Sequence, residues 1–258
     1  MTYVLGIVLG LVAGFACGIG GVTATIVAAP ILMAVLGMPA YEATSIGLLT
    51  DIVSAGSATA SYARKGHVDF KSGTLMLILI LVFTVVGSWL GSMLPNLVLG
   101  HGIVAVSALS GLFFIVFSKG SEGMVGDFMQ RFAKHQKLLM VLASIWVGLI
   151  CGSLGMGGGA MVLMILSYIL CYEMKDALGT SLLITIFVAT VALVSHVLIG
   201  ELPPVGLALT VAASAFVGSK IAALVALRVE QITLNRIIGG IMIGVAVLSW
   251  ILGLRPSA

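Results

Sequence analysis

Apolar runs fill most of the chain and are separated by short polar or glycine-rich intervals. The runs predict helices at 3–20, 23–36, 42–62, 72–94, 97–118, 138–153, 159–171, 177–198, 204–227 and 233–253. Two of these, 23–36 and 159–171, are short. A helix of about 14 residues rises ~21 Å, less than the ~30 Å hydrocarbon core of a bilayer. The order long, short, long, long, long occurs twice. It divides the chain into a first membrane repeat at 1–118, a polar linker at 119–137 and a second membrane repeat at 138–258. The linker, which contains Lys119, Glu122, Asp127 and Lys137, is expected to be cytoplasmic, with a short surface helix at 127–137.

Composition settles the class. Of 258 residues, 60% are hydrophobic and 8% charged, and mean hydropathy is +1.26. A soluble domain carries about 25% charged residues, so the expected fold is an all-α membrane protein. Twelve Lys and Arg against nine Asp and Glu leave a scattered charge of +3. Nucleic-acid binding needs clustered basic surface and is excluded. Three cysteines in apolar stretches, without CxxC or a histidine cluster, make neither a disulfide framework nor a metal site. The N-terminus lacks the basic region of a cleavable signal and reads as the first membrane helix.

The halves also match in sequence. Gly14, Cys17 and Gly18 align with Gly148, Cys151 and Gly152; Ala43, Thr44 and Ser45 with Gly179, Thr180 and Ser181; Gly87 and Ser88 with Gly218 and Ser219. With ten crossings and the N-terminus outside, inner loops hold ten of the twelve basic residues. With Arg255 outside and Lys220 inside a helix, the ten are Arg64, Lys65, Lys71, Lys119, Arg131, Lys134, Lys137, Lys175, Arg228 and Arg236. An eight-crossing arrangement strands Lys175, Arg228 and Arg236 outside, so the positive-inside rule favours ten. Five crossings per repeat is odd, so the repeats are expected to be inverted, an architecture of many secondary transporters.

Glycines cluster before each short segment: Gly18, Gly20 and Gly21, then Gly152, Gly155, Gly157, Gly158 and Gly159. Unwound backbone at membrane depth is tolerated only where protein buries it or it lines a cavity. A helix N-terminus just beyond such a break offers free N–H groups and partial positive charge to an anion. Small residues also let helices pack closely, but paired clusters at matched positions point to a site. Gly155–Ala160 fits GxGxxA without the βαβ context a dinucleotide fold requires, and it lacks a P-loop lysine.

Gly155-Met-Gly-Gly-Gly159 with Thr180-Ser181, and Cys17-Gly-Ile-Gly-Gly21, Pro30, Ala43-Thr44-Ser45 and Tyr62-Ala-Arg-Lys-Gly-His-Val-Asp69, resemble the TauE/SafE sulfite exporter family over nearly the whole chain. The chain departs from the family pattern at Val22, where a third glycine is usual, at Pro30, which falls late, and at Met164, where the matching proline would fall. The resemblance implies a bacterial or archaeal inner-membrane carrier of small sulfur-containing anions such as sulfite, sulfonates or sulfoacetate. Thr23, Thr25, Thr44, Ser45 and Thr50, with Thr180, Ser181 and Thr185, are then candidate donors to sulfonate oxygens. The competing reading is that they bond their own helix carbonyls.

Asp51 lies mid-helix, where a charge costs at least ~2.5 kcal/mol, and is functional by default. It is expected to carry a proton or to pair with Lys220, although Lys220 can also snorkel to the interface. The expected substrate site comprises Gly20, Gly21, Thr23, Thr44, Ser45, Gly157, Gly158, Gly159, Thr180, Ser181 and Lys220, with Asp51 as the coupling group. Cys17 and Cys151 read as small packing residues. His67, His101, His135 and Cys171 fall at loops or helix ends, and His196 is expected to make an interfacial hydrogen bond near an outer helix end. No metal, cofactor or catalytic constellation is expected. The leading function is an exporter working by alternating access; proton-coupled uptake, an anion channel and a membrane-embedded enzyme remain as alternatives. The sequence leaves a homo-oligomer open.

Overall fold

The computed structural model describes residues 2–69, 74–116, 136–199, 203–226, 228 and 231–251. The linker at 119–137 and its expected surface helix fall almost wholly outside these, as do Lys71, Lys119, Arg131, Lys134, His135 and Arg255. Among the described residues the chain is all-helical: α1 Thr2–Gly20, α2 Ala24–Leu36, α3 Ala40–Ala63, α4 Thr74–Ser92, α5 Asn96–Val116, α6 Gln136–Leu154, α7 Gly159–Met164 continuing as a π-helical turn Ile165–Ile169, α8 Met174–Ile199, α9 Val205–Ala226 and α10 Gln231–Ile251. Every expected helix is present, and its ends fall within three residues of the apolar run that predicts it.

Five helices, α1, α4, α6, α8 and α9, are long and apolar enough to cross a membrane; α2, α5 and α10 hold shorter apolar stretches. The outer surface is apolar, with Val4, Ile7, Ile78, Trp89, Leu142, Trp146, Leu198 and Leu209 exposed. The interior holds Thr25, Thr50, Asp51, Ser54, Thr185 and Ser219. Polar groups inside and aliphatic groups outside are what lipid selects, because hydrocarbon offers a polar group no partner.

The centre is α3 against α8. Leu48 clusters with Ala189 and Ala192 near one end, and a Cβ on Gly179 would lie 3.1 Å from Tyr62 Cβ near the other, so the two helices run antiparallel. Two helix pairs flank them, and each takes one member from each half: α1 packs on α9 and α6 packs on α4. Glycine brings both pairs close. A Cβ on Gly14 would lie 2.6 Å from Ala215 Cα, and one on Gly148 would lie 2.7 Å from Phe83 Cβ.

The two short helices resolve their defects differently. Pro30 inside α2 has no N–H for the Ile26 carbonyl, and Ser107 Oγ of α5 donates to that oxygen instead at 3.0 Å. In α7, which has no proline, the ladder widens into the π turn after six residues. This shortens the α-helical part beyond what the apolar run 159–171 predicts.

Candidate functional site

Both breaks begin alike. α1 ends at Gly20 and α6 at Leu154, and the next residues, Gly21 and Gly155, both turn left-handed at φ +63°, a region L side chains enter at a cost. The chain then runs back into the interior, and the two breaks touch. Thr23, at the N-cap of α2, makes no capping bond to its own helix; its Oγ1 accepts the N–H of Gly159, the first residue of α7, at 3.1 Å.

Asp51 supplies the cap that Thr23 does not. Its carboxylate, fully buried on α3, accepts the N–H of Ala24 and the Thr25 hydroxyl at 2.6 Å. Backbone N–H groups of Thr25 and of Gly157 in the second break also donate to it. A buried charge survives only when it is fully hydrogen-bonded, and here the donors are the orphan N–H groups at the positive end of α2. One carboxylate therefore joins α3, the start of α2 and the opposite half. A Cβ at Gly157 would stand 2.9 Å from Asp51 Oδ2 and 2.9 Å from Thr185 Cγ2, so that position must be glycine for the backbone to reach the acid.

The expected Asp51–Lys220 pair does not form. Lys220 lies on the exposed side of α9, while its neighbours Gly218 and Ser219 are buried. The seat at the α2 N-terminus, expected to face substrate oxygens, is filled by Asp51.

Most hydroxyls bond their own helices. Thr44 and Ser45 both donate to the Tyr41 carbonyl at 2.9 Å. Thr50 donates to Ile46, Ser181 to Leu178 and Thr185 to Ser181, while Thr180 Oγ1 accepts the Asp69 N–H at 3.0 Å. Their placement is nonetheless reciprocal. Thr44 of the first half lies against Gly155 of the second break, with Oγ1 2.9 Å from where a Cβ would be, and Ser181 of the second half lies against Gly21 of the first, with Oγ 3.1 Å away. Cys17 and Cys151 are free and buried, and the Cys151 sulfur packs over Gly158.

At one end the loop after α3 is tied to the start of α8. His67 Nδ1 lies 2.8 Å from Asp176 Oδ1, and Tyr172 donates to Asp69 Oδ2 at 2.8 Å. Among the described residues, no group of three His, Cys, Asp or Glu side chains could hold a metal ion.

The sulfite exporter TauE/SafE family model matches residues 6–249. The chain belongs to this family. It is similar to the probable membrane transporter protein YunE of Bacillus subtilis (strain 168), 25% identical over 268 residues that cover 94% of this chain and 95% of the relative. It is also similar to the probable membrane transporter protein ORF9 of Sinorhizobium sp, 28% identical over 153 residues, 59% of this chain and 56% of the relative. No solved structure matches. The TauE/SafE family is one of membrane transporters, and the apolar helices fit that setting.

A second residue of this TauE/SafE protein, after Lys220, lies in surroundings that its sequence position does not announce. His196, in the last turn of α8, is buried within the protein: it is 1% exposed, its Nε2 lies 3.1 Å from the Gly152 carbonyl, and its ring stacks on Tyr41 with centroids 4.1 Å apart. In the first half Tyr62 makes the comparable contact, its hydroxyl reaching the Gly18 carbonyl at 3.5 Å. The two carbonyls these rings reach belong to Gly18 and Gly152, which the repeat alignment pairs.

Proposed function

We propose that this TauE/SafE protein is a secondary transporter that moves small sulfur oxyanions or organosulfur anions, such as sulfite or sulfoacetate, across the inner membrane by alternating access. The observation that carries this reading is the meeting of irregular backbone from both halves in the buried centre, where Thr23 accepts from Gly159 and Asp51 accepts from Ala24, Thr25 and Gly157. Broken helices meeting at depth suit a site that two inverted repeats expose to each side in turn. The exchange of partners between α1–α9 and α6–α4 supports such repeats. In the proposed topology ten segments cross, the N-terminus is outside, and loops 64–73 and 170–173 share the cytoplasmic side; the ties of His67 to Asp176 and of Tyr172 to Asp69 accord with that.

Asp51 is proposed as the coupling group. Its carboxylate holds donors of both halves, so a proton arriving there weakens the bond between the breaks and lets them part. An inside-negative potential favours anion exit by ~2.3 kcal/mol per charge per 100 mV, which makes export the downhill direction. The absence of a buried lysine or arginine beside Asp51, among the described residues, favours proton-linked movement and keeps uptake as the second reading.

Transport in proteoliposomes tests this. Sulfite loaded inside should leave at a saturable rate that responds to a pH gradient, and Asp51→Asn should retain sulfite movement in exchange assays but lose the response to the gradient. Flux of sulfite, sulfoacetate and thiosulfate no faster than from empty vesicles would refute the substrate class. Conduction at channel rates would refute alternating access.

A further inference from the structure

An anion carrier gains from a buried positive charge, and Lys220 on the exposed side of α9 does not supply one. Among the described residues, the buried side chain able to become cationic is His196. Its Nε2 faces the Gly152 carbonyl, which can only accept, so the ring hydrogen sits on Nε2 and the Nδ1 lone pair is left over. Nδ1 is buried and has no partner, and neither has the buried hydroxyl of Tyr41, whose ring lies parallel to the imidazole within 9°. Buried polar atoms without partners are rare, and each calls for a ligand, a water or a functional reason. Here two occur on one stacked pair, beside Thr44 and against Gly155, where a Cβ would meet His196 Cε1 at 2.7 Å. The pair therefore borders the second break, and Asp51 borders the same break two residues on, at Gly157.

We infer that His196 and Tyr41 form an anion subsite beside the second break, which takes one oxyanion group together with one proton. The inference rests on the anion-carrier reading and extends it to named residues. An oxyanion cannot approach a bare Nδ1 lone pair. The proton lies on Nδ1, which then donates to the anion, or on the anion, which then donates to Nδ1; in both cases anion and proton enter together. The Tyr41 hydroxyl donates a second bond. The ionisable groups facing this place are few. α3 brings Tyr41, the part-exposed Glu42 and, ten positions on, Asp51; α6 brings Cys151, with Lys137 at its far end; α4 and α7 bring no carboxylate, histidine or basic group; and Lys175 and Asp176 lie at the opposite end of α8. The proton at His196 thus offsets the repulsion that Asp51 and Glu42 exert on an incoming anion.

Sulfite binding by calorimetry to the full chain in nanodiscs, in two buffers of different ionisation enthalpy, reads both affinity and protons taken up. His196→Gln keeps an N–H for the Gly152 carbonyl but cannot take up a proton. It should bind sulfite about tenfold more weakly, the scale of one lost charge-assisted hydrogen bond, and take up one proton fewer per anion than wild type. Because sulfite's own titration is common to both proteins, the difference belongs to His196. Tyr41→Phe should weaken binding without changing the proton count. Equal affinity and equal proton count in wild type and His196→Gln would overturn the subsite and leave water as the partner of Nδ1, while the anion-carrier reading stood. Failure of sulfite, sulfoacetate and thiosulfate to bind wild type would overturn both. Should His196→Gln not fold, undiminished affinity in Tyr41→Phe would overturn the subsite as drawn.

Discussion

Gly21 and Gly155 turn the chain through the same angle at the ends of matching helices, yet the first N–H groups of the helices beyond them, at Ala24 and Gly159, meet different partners. The first break delivers α2 onto a carboxylate. The second delivers α7 onto a neutral hydroxyl, Thr23. The residue that stands to Thr180 as Asp51 stands to Thr44 is Phe187, which is 46% exposed and faces outward. A similar backbone thus serves twice and the charge appears once. One acid at the junction holds both halves, whereas two facing acids in a dry centre would repel each other strongly.

The contrast can be broken most severely at the acid. Asp51→Ala leaves the donors at Ala24, Thr25 and Gly157 without an acceptor and should cost about 3–5 kcal/mol, read as a large fall in thermal unfolding temperature in detergent. Phe187→Ala should leave stability within about 1 kcal/mol, since half of that ring is exposed to lipid and has little packing to lose. A Phe187→Ala loss equal to that of Asp51→Ala would show that the two positions are not unlike.

The second probe is the turn itself. Alanine at either glycine enters the left-handed region at about 1–2 kcal/mol. At Gly21 the new methyl meets Ser181 Oγ at 3.1 Å and Leu178 Cδ2 at 3.2 Å, both side-chain atoms that can give; at Gly155 it meets His196 Cε1 at 2.7 Å and Thr44 Cβ at 2.8 Å. Gly155→Ala should therefore be the more damaging, by about 1–3 kcal/mol of overpacking, in the same unfolding assay. Smallest is the difference within the short helices. Ser107→Ala removes the donor that covers the Ile26 carbonyl below Pro30 and should cost about 1 kcal/mol, a defect that the π turn of α7 avoids without help.

The helices were legible because lipid demands long apolar runs, and those runs mark their own ends. The breaks were legible because glycine clusters where backbone must unwind. Asp51 was legible as important but not in its bonds, because its partners lie 26 and 27 residues away and one of them, the Ala24 N–H, is a backbone group that no side-chain pattern announces. Lys220 drew attention through charge logic alone. With 100° per residue, its place just after Gly218 and Ser219, which face α1, already turns it away from them. The burial of His196 is hidden by its place near the end of an apolar run, and the π turn leaves no mark in composition.

The crossed pairing of α1 with α9 and of α6 with α4 also has a meaning for biosynthesis. The close-packing glycines of α1, Gly10, Gly14 and Gly18, leave the ribosome nearly two hundred residues before the helix that covers them. Until α9 is made, that groove must be held by lipid or by the insertion machinery. The close contacts of α1 are completed only when α9 arrives.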